Sequence, residues 1–247
     1  MKKLLFITGI IALTFQFSQA QSAKITYKNE LTVTKELEEL KEKDPKKYER
    51  YSFMIKKMNE RTKQLRYTLK FNDLRSEFKT NPKMAKGDDA VSNMSISQSE
   101  YFYDLSNNKR YQKNNISGKE LLINKESISW EILPETKVIR GYKVRKAVAG
   151  QTFFSIDRES GELKEKEQPV TAWFTTQLPF AYGPENYGGL PGLILELKTQ
   201  GKNYSVEKLE IDEDKDLEIK FPNLDKALSE KEAALMMHKA AAKMFGR

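Results

Sequence analysis

Hydrophobic and polar positions alternate along most of this chain, and the alternation gives way to a helical period in two stretches. In "AKITYKNELTV", Ile25, Tyr27, Leu31 and Val33 alternate with polar neighbours, as one face of a half-buried strand does. Across "DPKKYERYSFMIKKMNERT" the spacing lengthens, and Tyr48, Tyr51, Ile55 and Met58 fall on one helical face, read as core-facing. Asp44 is placed to cap that helix, and Pro45 opens it at a position where a missing N–H is harmless. From Lys63 the two-residue period returns. Leu65, Tyr67, Leu69 and Phe71 share a side in "LRYTLKF", followed by "EYFYDL", "KRYQK", "ELLIN" and "ISWEIL", with turn residues such as Asn107-Asn108 and Ser117-Gly118 between them. "YKVRKAV" sets Tyr142, Val144 and Val148 against Lys143, Arg145 and Ala147, and "QTFFSID", "VTAWFTT", "NYSVEKLEI" and "DLEIKF" complete the series. The polar stretch from Asn81 to Ser97 reads as a mobile loop. Near the end, Ser229 and Glu232 have capping-box spacing. The alanine-rich run that follows places Ala234, Met237, Ala241 and Met244 on one helical face, with His238 and Phe245 on its margin.

These elements predict a mainly β chain with flanking helices (α+β): a curved antiparallel sheet or half-barrel, one helix near residues 45–62 and another near 228–245. The opening "MKKLLFITGIIALTFQFSQA" has two lysines, an apolar run and small residues at its end, the pattern of a cleaved signal peptide over residues 1–20. The apolar run is shorter than the roughly 18 residues expected of a membrane span, so the mature chain is expected to start at Gln21 without a transmembrane anchor. Periplasmic or secreted localisation follows. No linker rich in Gly, Pro or Ser divides the remainder, and residues 21–247 are expected to form a single domain.

Composition narrows the chemistry. The formal net charge of +8 is spread among interspersed charges of both signs, as in "KELEELKEKDPKKYER", which reads as a solvated surface rather than a nucleic-acid site. There is no cysteine, which excludes disulfides, thiolate metal sites and cysteine nucleophiles. The single histidine, His238, is the only residue that could serve as base in a Ser-His-Asp triad, and no catalytic motif surrounds it. With Met237 and its neighbours it could bind soft copper, although methionines filling core gaps explain the pattern as well. The carboxylates Asp212, Glu213, Asp214 and Asp216 lack the glycine of an EF-hand loop and read as a solvated hairpin turn. The chain is expected to be non-enzymatic and to carry no cofactor.

The densest motif is "YGGLPGLILEL", Tyr187 to Leu197. It lacks the Gly-Lys-Ser/Thr ending of a Walker loop and the GxGxxG spacing, and its apolar run ends before Lys198, too short to enter a membrane. A turn remains: Pro191 and Gly192 have the type II signature, which predicts φ > 0 at Gly192. Leu193, Leu195 and Leu197 then leave on one side of a strand with Ile194 on the other, so the strand is expected to be buried on both faces. The hexapeptide Gly189-Leu190-Pro191-Gly192-Leu193-Ile194 resembles the signature of GLPGLI family proteins, secreted proteins of Bacteroidota with no established activity. Upstream, "WEILPETKVIRGYKVRKA" looks like that family's tryptophan-to-GYxCxKA block, and "TAWFTTQLPFAYGPENY" like its AWxTxxxP and GP block. Val144 stands where many members carry cysteine, so a thiol-dependent role cannot operate here, and "RESGELKEKEQP" looks like an insertion.

A concave sheet crossed by a helix suits a carrier for an apolar or peptide-like ligand, by analogy with half-barrel lipoprotein carriers. The alternative is an interaction module for an envelope protein. In either reading the expected recognition surface is Trp173, which points opposite to Ala172 and Phe174, with Pro179, Tyr182, Pro184 and Tyr187 of the restricted loop before the turn. The rival reading is that these aromatics only pack the loop onto the core.

Overall fold

The computed structural model describes residues 22–33, 35–81, 99–116, 119–157, 161–212 and 217–245. The expected signal peptide, most of the Asn81–Ser97 stretch, Ser117-Gly118 and the acidic residues 213–216 lie outside the described residues.

The strands are β1 (Ser22–Leu31), β2 (Tyr67–Phe71), β3 (Arg75–Thr80), β4 (Glu100–Asp104), β5 (Lys109–Ile116), β6 (Lys119–Lys125), β7 (Glu131–Ile139), β8 (Tyr142–Ile156), β9 (Leu163–Thr175), β10 (Leu193–Thr199), β11 (Lys202–Asp212) and the two-residue β12 (Leu228–Ser229). The helices are α1 (Lys35–Lys43), α2 (Pro45–Thr62) and α3 (Glu230–Phe245). The strands form one open curved sheet in the order β12-β6-β5-β4-β3-β2-β1-β11-β10-β9-β8-β7. Every pairing is antiparallel except β12 with β6. The helix α3 lies against both β6 and β8, strands near opposite ends of that order. The sheet therefore curls until its two ends can share one helix, whose diameter with side chains is about 10 Å.

One face of the sheet carries the main core, formed by Ile25, Tyr27, Leu69, Phe71, Phe78, Ala172, Phe174 and Val206 among others. The two-residue period produces this layer directly, since alternate side chains of a strand share a face. β10 is buried on both sides as its sequence predicts, with Leu193, Ile194, Leu195 and Leu197 all at 0% exposure. The outer side of β4–β6 holds a second cluster, where Phe102, Tyr111 and Leu122 meet Phe221.

Some expectations are corrected. β1 buries Asn29 where Leu31 and Val33 were expected; Leu31 is half-buried and Val33 lies beyond the strand, 43% exposed. "DLEIKF" supplies no strand: Leu217–Phe221 run as irregular chain, anchored where Asn72 Nδ2 donates to Leu217 O at 3.1 Å and where the Phe221 ring lies 5.4 Å from Phe102. In "YKVRKAV" Val144 and Ala147, placed on opposite sides, are both fully buried.

Both predicted helix starts form. The Asp44 side chain accepts from Lys47 N at 3.0 Å, with Pro45 at the first turn. The stripe Tyr48, Tyr51, Ile55 and Met58 is half-buried rather than fully enclosed, because α2 leans on α1 and β1 at the edge of the core. At α3 the capping box is complete: Glu232 N donates to Ser229 Oγ at 3.2 Å and Ser229 N donates to Glu232 Oε2 at 2.8 Å. Ser229→Ala is expected to lower stability by about 1 kcal/mol, read as a fall in the denaturant midpoint at unchanged slope. Over the described side chains of α3 the buried face is not the predicted one; Ala241, Met244 and Phe245 of that prediction lie outside them. Ala233 packs on Leu121 and Ile123 at 1% exposure, whereas Met237 is 38% exposed and Ala234 is intermediate.

Candidate functional site

Between β9 and β10 the chain makes a loop that is tied down almost residue by residue. Tyr182 and Gly188 form a bridge, and Gly189 N donates to Ala181 O at 2.9 Å, Leu193 N to Leu178 O at 2.9 Å and Ile194 N to Tyr182 O at 3.0 Å. The loop crosses the core face of the sheet. Its Phe180 and Tyr182 rings pack at a tilt against Phe71 of β2 at 4.8 and 5.0 Å, and Tyr27 OH of β1 donates to Ile194 O at 2.6 Å. Arg110 of β5 reaches it from the far side. That guanidinium is 1% exposed, lies 4.1 Å over the Tyr103 ring, and donates to Asn186 O at 3.1 Å, Asn108 Oδ1 at 2.8 Å and Tyr103 OH at 3.0 Å. Trp130 Nε1 donates to Gly188 O at 2.9 Å, and Tyr187 OH donates to Gln151 of β8. The loop is thus a plug for the curve of the sheet.

The turn at its end differs from the predicted type II geometry. Gly192 does not have a positive φ; the left-handed glycine of the motif is Gly189, at φ +85°. Leu193 N donates to Leu178 O rather than to Leu190 O, and Gly192 N donates to Leu190 O at 2.8 Å, a three-residue γ-type turn centred on Pro191. Gly192 is required for a different reason: a Cβ there would lie 2.0 Å from Thr175 O.

The expected recognition residues do not assemble into a surface. Tyr182 and Tyr187 are each 2% exposed, and Pro184 is buried. Trp173 does point opposite to the fully buried Ala172 and Phe174, but it is half-covered by Lys137, whose Nζ lies 4.3 Å from the ring and pairs with Glu196 at 2.8 Å. Pro179 is exposed, as are Pro191 and Gly189 of the signature, while Leu190, Leu193 and Ile194 are core. The copper candidates His238 and Met237 are both exposed on α3. Among the described residues no group of three or more His, Cys, Asp or Glu side chains is placed to hold a metal.

Chemistry gathers instead at Glu185, in the same loop. Tyr187 N donates to Pro184 O at 3.1 Å, closing a turn in which Glu185 takes the second position at φ +56°. Glycine is the usual occupant of that conformation, and a glutamate there is strained by roughly 1 kcal/mol. The strain aims the carboxylate inward. Its side chain is 10% exposed, and Oε1 accepts from Lys202 Nζ at 2.6 Å and from Tyr204 OH at 2.8 Å. Oε2 has no protein donor among the described residues. Beside this group lies a cavity of about 70 Å³ whose walls include Tyr67, Phe78, Tyr101 and Tyr204, with Met58 and Thr62 of α2 at its rim. The rings are locked together: Tyr67 stacks on Phe78 at 5.9 Å, and Tyr204 stands edge-on to both at 5.3 and 5.6 Å.

Burial and charge keep the tyrosines of the site neutral and Lys202 charged. The Glu185 charge holds the Lys202 ammonium above the usual lysine range. Burial, reinforced by Glu185, holds the Tyr204 and Tyr101 hydroxyls well above the usual tyrosine range. Burial likewise raises Tyr67. Lys202 and these tyrosines therefore keep their protons near neutral pH and serve the pocket as hydrogen-bond donors. Reasoning from sequence missed Glu185, Lys202, Tyr67, Tyr101 and Tyr204. The available signal was a charged residue between Pro184 and Asn186 inside an otherwise apolar and glycine-rich motif.

A family model described as "Protein of unknown function (Porph_ging)" matches residues 130–196. That segment holds β7, β8, β9, the plug and β10 as far as Glu196, so it includes Glu185 but not Lys202, Tyr204, Tyr67 or Tyr101. No curated protein matches the chain. Among solved structures, "Structure of PNGF-II in C2 space group" is similar at 15% identity and a TM-score of 0.48, covering 89% of this chain and 33% of that one. "Structure of PNGF-II in P21 space group" gives 14% identity and 0.49, covering 90% and 34%. The chain thus spans about a third of the length of those proteins.

Proposed function

We propose that this is an exported, non-enzymatic binding protein of the bacterial envelope, of the GLPGLI type, and that it receives a peptide-like ligand at the Glu185 pocket. The observation that carries this reading is Glu185 itself: a left-handed glutamate, held inward by Lys202 and Tyr204 against a cavity walled by tyrosines. Backbone strain is retained where surrounding structure enforces it, and such positions cluster at functional sites. An apolar cargo fits less well, because the plug fills the curve of the sheet with the chain's own aromatics. The cavity beside Glu185 has a volume of about 70 Å³, some two water molecules' worth. That suits an end group or a single peptide unit. A peptide unit would donate its N–H to Glu185 Oε2 and accept at its carbonyl oxygen from Lys202 Nζ. The absence of a thiol, and the exposed position of the one histidine, support a role without catalysis.

The test is calorimetry and thermal melting with short peptides carrying free or blocked termini, and with a long-chain fatty acid as the apolar competitor. Peptides are expected to raise the melting temperature and the fatty acid is not. Glu185→Gln keeps the shape and removes the charge, and should weaken peptide binding at least about tenfold, as expected for loss of a charged hydrogen bond. Stabilisation by the fatty acid alone would reverse the reading in favour of an apolar carrier. Retention of an intact envelope protein, with no response to peptides, would favour the interaction module.

A further inference from the structure

The helix α2 presents a second feature, on the side away from the core. Its inward face is Tyr48, Tyr51, Ile55, Met58 and Thr62. On the opposite side Lys46, Arg50, Phe53 and Lys57 recur at helical spacing, flanked by Lys47, Met54 and Lys56. All seven are exposed, Phe53 by 69% and Met54 by 51%, which makes Phe53 the most exposed aromatic side chain among the described residues. None of the five cations forms an ion pair among the described residues, although Glu49 and Glu60 are also exposed on this helix. Arg50 lies 5.5 Å over the Tyr51 ring. Phe53 and Met54 lie beside Arg50, Lys56 and Lys57, an apolar pair bordered by cations on one exposed face. It is the arrangement of helices that lie in a lipid interface, where apolar residues enter the acyl boundary and cations meet the headgroups. A lipid surface fits this face better than an acidic polypeptide, because headgroups and acyl boundary together match its cations and its apolar pair, whereas an acidic polypeptide would leave Phe53 and Met54 in water.

We infer that α2 docks the protein on an anionic lipid surface, with Phe53 and Met54 inserted and Lys46, Lys47, Arg50, Lys56 and Lys57 at the headgroups. This inference does not depend on the Glu185 pocket. The test is sedimentation of the purified protein with phosphatidylcholine vesicles, with or without phosphatidylglycerol. Binding is expected only to the anionic vesicles, and it should fall as salt is raised. The triple variant Lys46→Glu/Arg50→Glu/Lys57→Glu should lower the partition coefficient at least about tenfold. Phe53→Ser should lower it about three- to tenfold, leaving a remainder that salt removes. These residues touch no core, so the melting temperature should stay unchanged, and Glu185→Gln should sediment like the parent protein. Equal binding to neutral vesicles, or sedimentation unaffected by the triple variant, would overturn the inference. So would binding to polyglutamate as tight as to vesicles and indifferent to Phe53→Ser; that outcome would assign the face to an acidic macromolecule.

Discussion

Gly192→Ala is expected to lower the stability of the protein by about 3 kcal/mol or more. The added Cβ would sit 2.0 Å from Thr175 O and 2.6 Å from Thr175 C, both backbone atoms at the end of β9. A flexible side chain could swing away from such a contact, but this strand end cannot without releasing its pairing with β10, where Leu193 faces Thr175. Gly189 is the control. It carries the positive φ, yet a Cβ there would meet only Arg110 Nη2 at 3.3 Å and Tyr103 OH at 3.6 Å. Gly189→Ala should therefore cost about 1 kcal/mol, the usual penalty of a left-handed alanine. Chemical denaturation of the two variants separates close approach from backbone conformation as the reason for the motif's glycines. Equal effects would show that the packing at Thr175 is looser than described.

Tyr182→Ala is expected to lower stability by about 3–5 kcal/mol, the range for deleting a large aromatic from a core. Its ring is 2% exposed and packs between Phe71 at 5.0 Å and Tyr103 at 5.8 Å, so truncation opens a void where the plug meets β2 and β4. The hydroxyl matters little, since it donates to Asp73 O over a long 3.4 Å. Tyr182→Phe should accordingly stay within about 1 kcal/mol of the parent. Peptide affinity measured on folded Tyr182→Ala should match the parent, because the side chain does not line the Glu185 cavity. A loss of affinity without loss of stability would return Tyr182 to the recognition surface first expected of it.

How far the sequence could be read depended on how local each cause was. The sides of β2 and β10, the Asp44 cap with Pro45, and the Ser229/Glu232 box were legible because each is decided within a few neighbouring residues. The buried side of α3 was not. Ala233 faces the core because the parallel step of β12 beside β6 fixes the helix's rotation, and nothing within the helix encodes that pairing. The turn at Gly192 was misread because Pro-Gly fits two geometries, and Leu178, fifteen positions upstream of Leu193, selects between them by accepting its N–H. Glu185 was hidden by distance of the same kind. Its partners Lys202 and Tyr204 come from β11 and the cavity's tyrosines from β2 and β4, so the charge inside the motif looked like ordinary loop polarity.

The place of β1 in the sheet has a consequence for the order in which the chain can fold. Ala23 faces Phe71 on one side and Ile211 on the other, so the first strand made shares a ladder with nearly the last. Until β11 has been synthesised, β1 and β10 each expose one row of unpaired backbone groups in the middle of what will become the sheet. Pairing over such separations is slow, on the order of milliseconds to seconds once the chain is complete. A chain stopped short of β11 would hold two long apolar edges open to other chains, a recognised route to aggregation. The last strand laid beside β1 is thus what turns two half-sheets into one molecule.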